Sequence, residues 1–166
     1  MKKLLLVATM VLGFAGMSFA QTSGSMACSM TVNVVSALSI SKVADLDFGT
    51  IGAGAGNVTL NPKSPTGAQV AGEFKVSGQG NTPINVSYSA PSILTGTGGN
   101  INFTSPNVVG SDTTIVSGAT GVNTGTQVTI GPSTNEYLFW VGGTISVPSG
   151  TAAGTYTGTF TIDVNY

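Results

Sequence analysis

The chain closes with Gly154-Thr155-Tyr156-Thr157-Gly158-Thr159-Phe160-Thr161-Ile162-Asp163-Val164-Asn165-Tyr166. From Tyr156 onward, even positions carry Tyr, Gly, Phe, Ile, Val and Tyr, and odd positions carry only Thr, Asp and Asn. Successive side chains of a strand point to opposite faces, so this segment has one apolar face and one polar face. That is the pattern of a half-buried β-strand, and Thr, Tyr, Phe, Ile and Val suit its pleated surface. A terminus tied into a sheet does not fray, so Gly154–Tyr166 is expected to be core structure.

Upstream, Glu136 to Val147 is the second decisive stretch. Tyr137, Phe139, Val141, Ile145 and Val147 share one parity, and Leu138 and Trp140 fall on the other. Both faces are therefore expected to be covered. Gly142-Gly143 in mid-strand points to a bulge or a close backbone approach. With Pro148 to Gly154 as a turn, the last two strands are expected to form a hairpin. Shorter alternating runs occur at Cys28–Val34, at Leu38 and Ile40, at Asn57–Leu60, at Phe74 and Val76, at Ile84–Tyr88, and at Val128 and Ile130. The middle, Ser92 to Gly125, is rich in Gly, Thr, Ser and Asn; one or two short strands are expected there, near Asn100–Phe103 and Thr114–Val116. No helical period occurs outside the leader. Many short strands separated by turn residues predict an all-β protein, an immunoglobulin-like antiparallel β-sandwich with Greek-key connections.

Met1 to Ala20 reads as a leader rather than as part of the fold. Lys2 and Lys3 precede a short apolar run, Leu4 to Phe14, and Ser18-Phe19-Ala20 is a small-x-small cleavage site. The run is shorter than the ~20 residues a spanning helix needs. The expectation is a signal peptide over 1–20, a single β-sandwich domain over 21–166, and export to the periplasm, the outer surface or the medium.

Beyond the leader the only cations are Lys42, Lys63 and Lys75, set against Asp45, Asp47, Glu73, Asp112, Glu136 and Asp163. With no basic stripe, nucleic-acid binding is excluded. The chain has no His, which removes the usual general base, the commonest metal ligand and any Ser-His-Asp or Cys-His arrangement. Asp45 and Asp47 are the one close pair of carboxylates. They lie opposite Leu46 and Phe48, so they are expected to face solvent, and two carboxylates fall short of the six to eight oxygens calcium needs. No enzyme activity, cofactor or metal is expected. The glycosylation-like triplets at Asn57, Asn85 and Asn102 are what chance gives in a chain this rich in Asn, Thr and Ser. Cys28 shares the face of Met30, Val32 and Val34 and is expected to be a small buried hydrophobe.

Two groups of residues resemble known bacterial secreted families. Gly154 and Tyr166 have the spacing of the Gly and C-terminal aromatic on the last strand of chaperone–usher pilins, although the pilin aromatic is penultimate and Tyr166 is last. Asp45-Leu46-Asp47-Phe48-Gly49-Thr50-Ile51, Val141-Gly142-Gly143-Thr144-Ile145 and Gly154–Phe160 together look like the domain of unknown function family 4402, and the pattern is also similar to spore coat U proteins. The 4402 family has no established activity, so this likeness implies fold and location.

The pilin resemblance implies a secreted or surface-exposed structural or adhesive subunit, with self-association, other surface subunits and a periplasmic chaperone as the partner classes. In pilins a neighbour's amino-terminal segment completes the sandwich by strand addition. Gly154, Tyr166, Met30, Val32 and Val34 are then the candidate assembly residues. Cys28–Val34 reads either as such a donor or as the first strand of its own sandwich. The second is preferred, because Gln21–Ala27 is short for a detachable arm. The alternative function is a monomeric extracellular binding module, for example for glycans, with Trp140 as the candidate surface aromatic beside the Ser92–Gly125 loop.

Overall fold

A computed structural model describes residues 25–166; the leader assigned to 1–20 lies outside the described residues. The described residues fall into two units, one ending at Asn33 and one spanning Val34–Tyr166. The larger unit holds eleven strands: β1 (Ser39–Ala44), β2 (Gly56–Leu60), β3 (Gly72–Ser77), β4 (Pro83–Ser89), β5 (Ile93–Gly96), β6 (Gly99–Ser111), β7 (Thr120–Gly121), β8 (Thr126–Thr129), β9 (Glu136–Val147), β10 (Tyr156–Thr157) and β11 (Thr161–Asn165). All pairings are antiparallel. The large sheet runs β1-β3-β9-β6-β5-β10, with β2 also on β9 and β7 also on β6; the small sheet runs β11-β4-β8. The described residues are all-β and the two sheets pack as a sandwich, as the alternation requires.

β9 organises the large sheet. It pairs with β2 and β3 along one edge and with β6 along the other. Its Tyr137, Phe139 and Val141 enter the main core with Val76, Ile84, Val86, Ile130 and Ile162. Its opposite face is covered too: Leu138 and Trp140 pack with Val109, Ala119 and Val116 beneath the segment that follows β6. Gly142 and Gly143 admit close neighbours. A Cβ on Gly142 would run into the Leu60 carbonyl oxygen, and one on Gly143 would lie 2.5 Å from the Phe103 ring. The bulge itself lies opposite, in β6, where the register to β9 shifts between Thr104 and Asn107.

Four expectations are corrected. β9 and the terminal segment do not form a hairpin: β10 pairs with β5, and β11 pairs with β4 in the other sheet. Pro148–Thr155 is thus a connection along the sandwich and not a tight turn. In the middle of the chain the strand expected near Asn100–Phe103 is present, but it is only the start of a much longer one. The middle also contains the β5–β6 hairpin, and β6 is the longest strand at 13 residues. The bulge hides it from a parity reading: Ile101 and Phe103 face inward before it and Val108 after it, so the alternation slips by one. Thr114–Val116 forms no strand; a 3-10 turn covers Val116–Gly118. Lastly, Cys28–Val34 is not a first strand, since no described residue before Ser39 is in a sheet.

Candidate functional site

The small sheet has three strands and covers only part of the inner face of the large one; beside it Leu46, Phe48, Ile51 and Tyr156 pack over Ile101, Phe103, Ile145 and Val147, which are buried. What remains open is a cleft of about 930 Å³. Its floor is the inner face of the large sheet, with Phe74, Leu94, Phe103, Val141, Ile145 and Val147. One wall is the stretch that leaves β1, through Leu46, Phe48 and Ile51; the other is Thr151–Phe160, which leads into β11. Phe48 meets Phe103 edge to face at 6.2 Å between centroids, and Phe160 stacks on Tyr88 at 5.6 Å. Aromatic rings thus brace both walls against the sheets.

The walls follow from local sequence. Leu46 and Phe48 turn inward while Asp45 and Asp47 stay exposed, as their alternation predicts. Asp47 is fixed by its own backbone: its N–H donates to the Val70 carbonyl at 2.9 Å, its carbonyl accepts from the Val70 N–H at 2.8 Å, and its side chain accepts from the Gly49 N–H at 2.8 Å. At the rim, Lys42 Nζ lies 2.6 Å from Asp45 Oδ1. Both groups are exposed, so this pair adds little stability.

Lys42 and Ala44 of β1 line the cleft, and the cleft's far wall ends at Phe160, just before β11. β1 pairs only with β3, and β11 pairs only with β4. Ile40 shows the consequence. It stands opposite Val76, whose side chain is fully buried, so both project from the same face of the sheet. Yet Ile40 is 40 % exposed, so no described residue covers it fully.

The expected assembly residues are placed as follows. Gly154 lies in the cleft wall. Tyr166 stands at the far end of β11: its hydroxyl donates to the Ser36 carbonyl at 2.6 Å and accepts from the Gln79 N–H at 3.0 Å. Met30, Val32 and Val34 are 92, 84 and 82 % exposed. Cys28, expected to be buried, is exposed with a free thiol, because its stretch belongs to no sheet. Trp140, expected at the surface, is 6 % exposed. Val116 and Ala119, which follow β6, pack against it; the intervening polar residues gave no sign of a cover. With Trp140 buried and much of Ser92–Gly125 in strands, the proposed glycan-binding face loses its components.

The cleft as a whole was not foreseen, though its parts were. Asp45–Ile51 and Gly154–Phe160, two of the motifs that carried the family likeness, are its two facing walls; Val141 and Ile145 of the third lie on its floor. Their likeness was the available signal that they share a place.

No curated protein matches the chain. A family model described as domain of unknown function (DUF4402) matches residues 38–166, the stretch that holds every strand of the sandwich. The chain therefore belongs to the DUF4402 family.

Proposed function

We propose that the protein is an exported, non-catalytic structural subunit of the cell surface that assembles by strand addition between copies. The occupant of the cleft is the Cys28–Val34 segment of a second copy. One observation carries this reading: a sandwich with a cleft whose floor is apolar belongs to the same chain as an alternating apolar segment whose Met30, Val32 and Val34 are exposed.

The two are complementary in chemistry. Cys28, Met30, Val32 and Val34 lie on one side of an extended chain, spaced about 6.6 Å apart. Residues 25–38 carry no charge, so none would be buried unpaired in the cleft. The free edge of β11 offers backbone groups for an added strand. Burying the four apolar side chains would contribute about 6–12 kcal/mol, at ~1.5–3 kcal/mol each, which is comparable to the whole stability of a typical domain.

Light scattering on the exported chain, alone and as Val32→Asp, tests the reading. Expected are oligomers for the native chain and monomers of reduced thermal stability for Val32→Asp, restored by a peptide spanning residues 26–35. A native chain that is monomeric with one sharp melt, unchanged by Val32→Asp or by the peptide, would overturn it.

A further inference from the structure

We propose that Lys42 selects the edge at which a strand is added: its inward-facing ammonium closes β1 to the donor segment and leaves β11 as the acceptor. This selection rests on the strand-addition reading and names the side of the cleft along which the added strand lies.

Lys42 is a charge on a face that is otherwise apolar. In the β1–β3 register Ile40 stands opposite Val76 and Lys42 opposite Phe74. Val76 is fully buried and Phe74 packs against the main core. Lys42 therefore follows Ile40 on the inner face of the large sheet, where it lines the cleft. Its Nζ lies 2.6 Å from Asp45 Oδ1, and both side chains are mostly exposed. The register of β1 on β3 shifts between Lys42 and Ala44, so the edge is also irregular at this point.

β11 is built the other way. Ile162 is buried, Val164 is partly buried, and both pack in the main core. Thr161, Asp163 and Asn165 are exposed. The register to β4 runs from Thr161 opposite Ser89 to Asn165 opposite Asn85 without a shift. The charge on this strand thus points away from the core, and the edge is regular. Of the other strands that end the two sheets, β8 does not line the cleft and β10 is two residues long.

The difference decides what an added strand would meet. A residue set beside Lys42 on the same face lies about 4.5–5.5 Å away and takes water from the ammonium. Residues 25–38 carry no charge, so the donor brings no carboxylate in exchange. An ion pair taken out of water recovers the lost solvation only with good geometry and further hydrogen bonds. Beside β11 the same donor side chains meet Ile162 and Val164, while Ser29, Thr31 and Asn33 share the wet face with Asp163. An inward-pointing charge and a bulge are the devices that protect a sheet edge from pairing. Here β1 carries both and β11 neither.

The test uses a peptide spanning residues 26–35 as the added strand and the exported Val32→Asp chain as acceptor, since the charge in its own segment leaves the cleft free. Three acceptors are compared: Val32→Asp alone, with Lys42→Val, and with Lys42→Arg. Calorimetry counts the peptides bound, and hydrogen exchange shows which strand gains protection. Val32→Asp alone should bind one peptide and gain protection in 161–165, with 39–44 unchanged. Adding Lys42→Val should admit a second peptide and protect 39–44 as well. Lys42→Arg, which keeps the charge, should match Val32→Asp alone. Protection of 39–44 in Val32→Asp alone, or no change on adding Lys42→Val, would overturn the role of Lys42 and leave strand addition standing. Opening of β1 by Lys42→Arg would overturn it too, because the charge is still there. If no acceptor binds the peptide, strand addition itself fails and the selection of an edge fails with it.

Discussion

The carbonyl oxygen of Leu60 occupies the position that a Cβ on Gly142 would need. Leu60 ends β2 and is fully buried, and its strand is paired to β9 at Gly143. The obstacle is backbone, which cannot rotate away as a side chain can. Gly142→Ala is therefore expected to cost about 1–3 kcal/mol, the range for forcing extra volume into a packed core. Urea unfolding should show a lower midpoint with an unchanged slope. An unchanged midpoint would mean that β2 can lift from β9 without loss.

Phe139 is the largest fully buried side chain and joins the two sheets through the main core. Phe139→Ala should cost about 3–5 kcal/mol, a large share of the 5–15 kcal/mol typical of a domain. The expected outcome is a chain largely unfolded well below the native melting temperature, seen by circular dichroism.

Tyr137 makes stability depend on alkaline pH. Burial pushes its phenol above the ordinary value of 10.0, the nearby Asp112 charge adds to this, and a hydrogen bond with Thr120 offsets part of it. The fold thus favours the protonated phenol. Below the unfolded pKa of about 10, both states hold the proton and stability does not change with pH. Above it the unfolded chain ionises first, so stability falls as pH rises towards the higher folded value. Tyr137→Phe should show a shallower loss of urea midpoint between about pH 9 and pH 11 than the native chain. Equal slopes would remove Tyr137 from the explanation.

Trp140, buried among Leu138, Val109 and Ala119, should fluoresce with a blue-shifted maximum and resist quenching by iodide. Val116→Ser, which makes the cover polar without touching the strand, should shift emission to the red and admit the quencher. A native emission already characteristic of water would show that the cover opens readily.

The elements that local alternation could specify were legible. β11, β9, β4, β3 and β2 fall where period-two patterning puts them, and Asp45 and Asp47 point outward as their parity requires. Gly142-Gly143 was legible as a place of close backbone approach, because a glycine pair in a strand of large residues needs a steric reason. β6 was not legible beyond its first residues. Its bulge inverts the parity between Phe103 and Val108, and a parity reading has no means to sum across an inversion.

Partners were beyond the sequence for a different reason. A strand's alternation states that one face must be covered and leaves open what covers it. For Tyr137 and Phe139 the cover is the small sheet; for Trp140 it is a segment that itself reads as polar loop. For Met30, Val32 and Val34, with the same alternation as β11, there is none among the described residues. The cleft likewise arises from a mismatch in width between two sheets, set by which strands pair across long separations: β10 joins β5 in the large sheet, and β11 joins β4 in the small one. Period and residue type are local quantities and survive in the linear chain. Register, sheet width and exposure come from contacts between distant residues, and these exist only once the chain has folded.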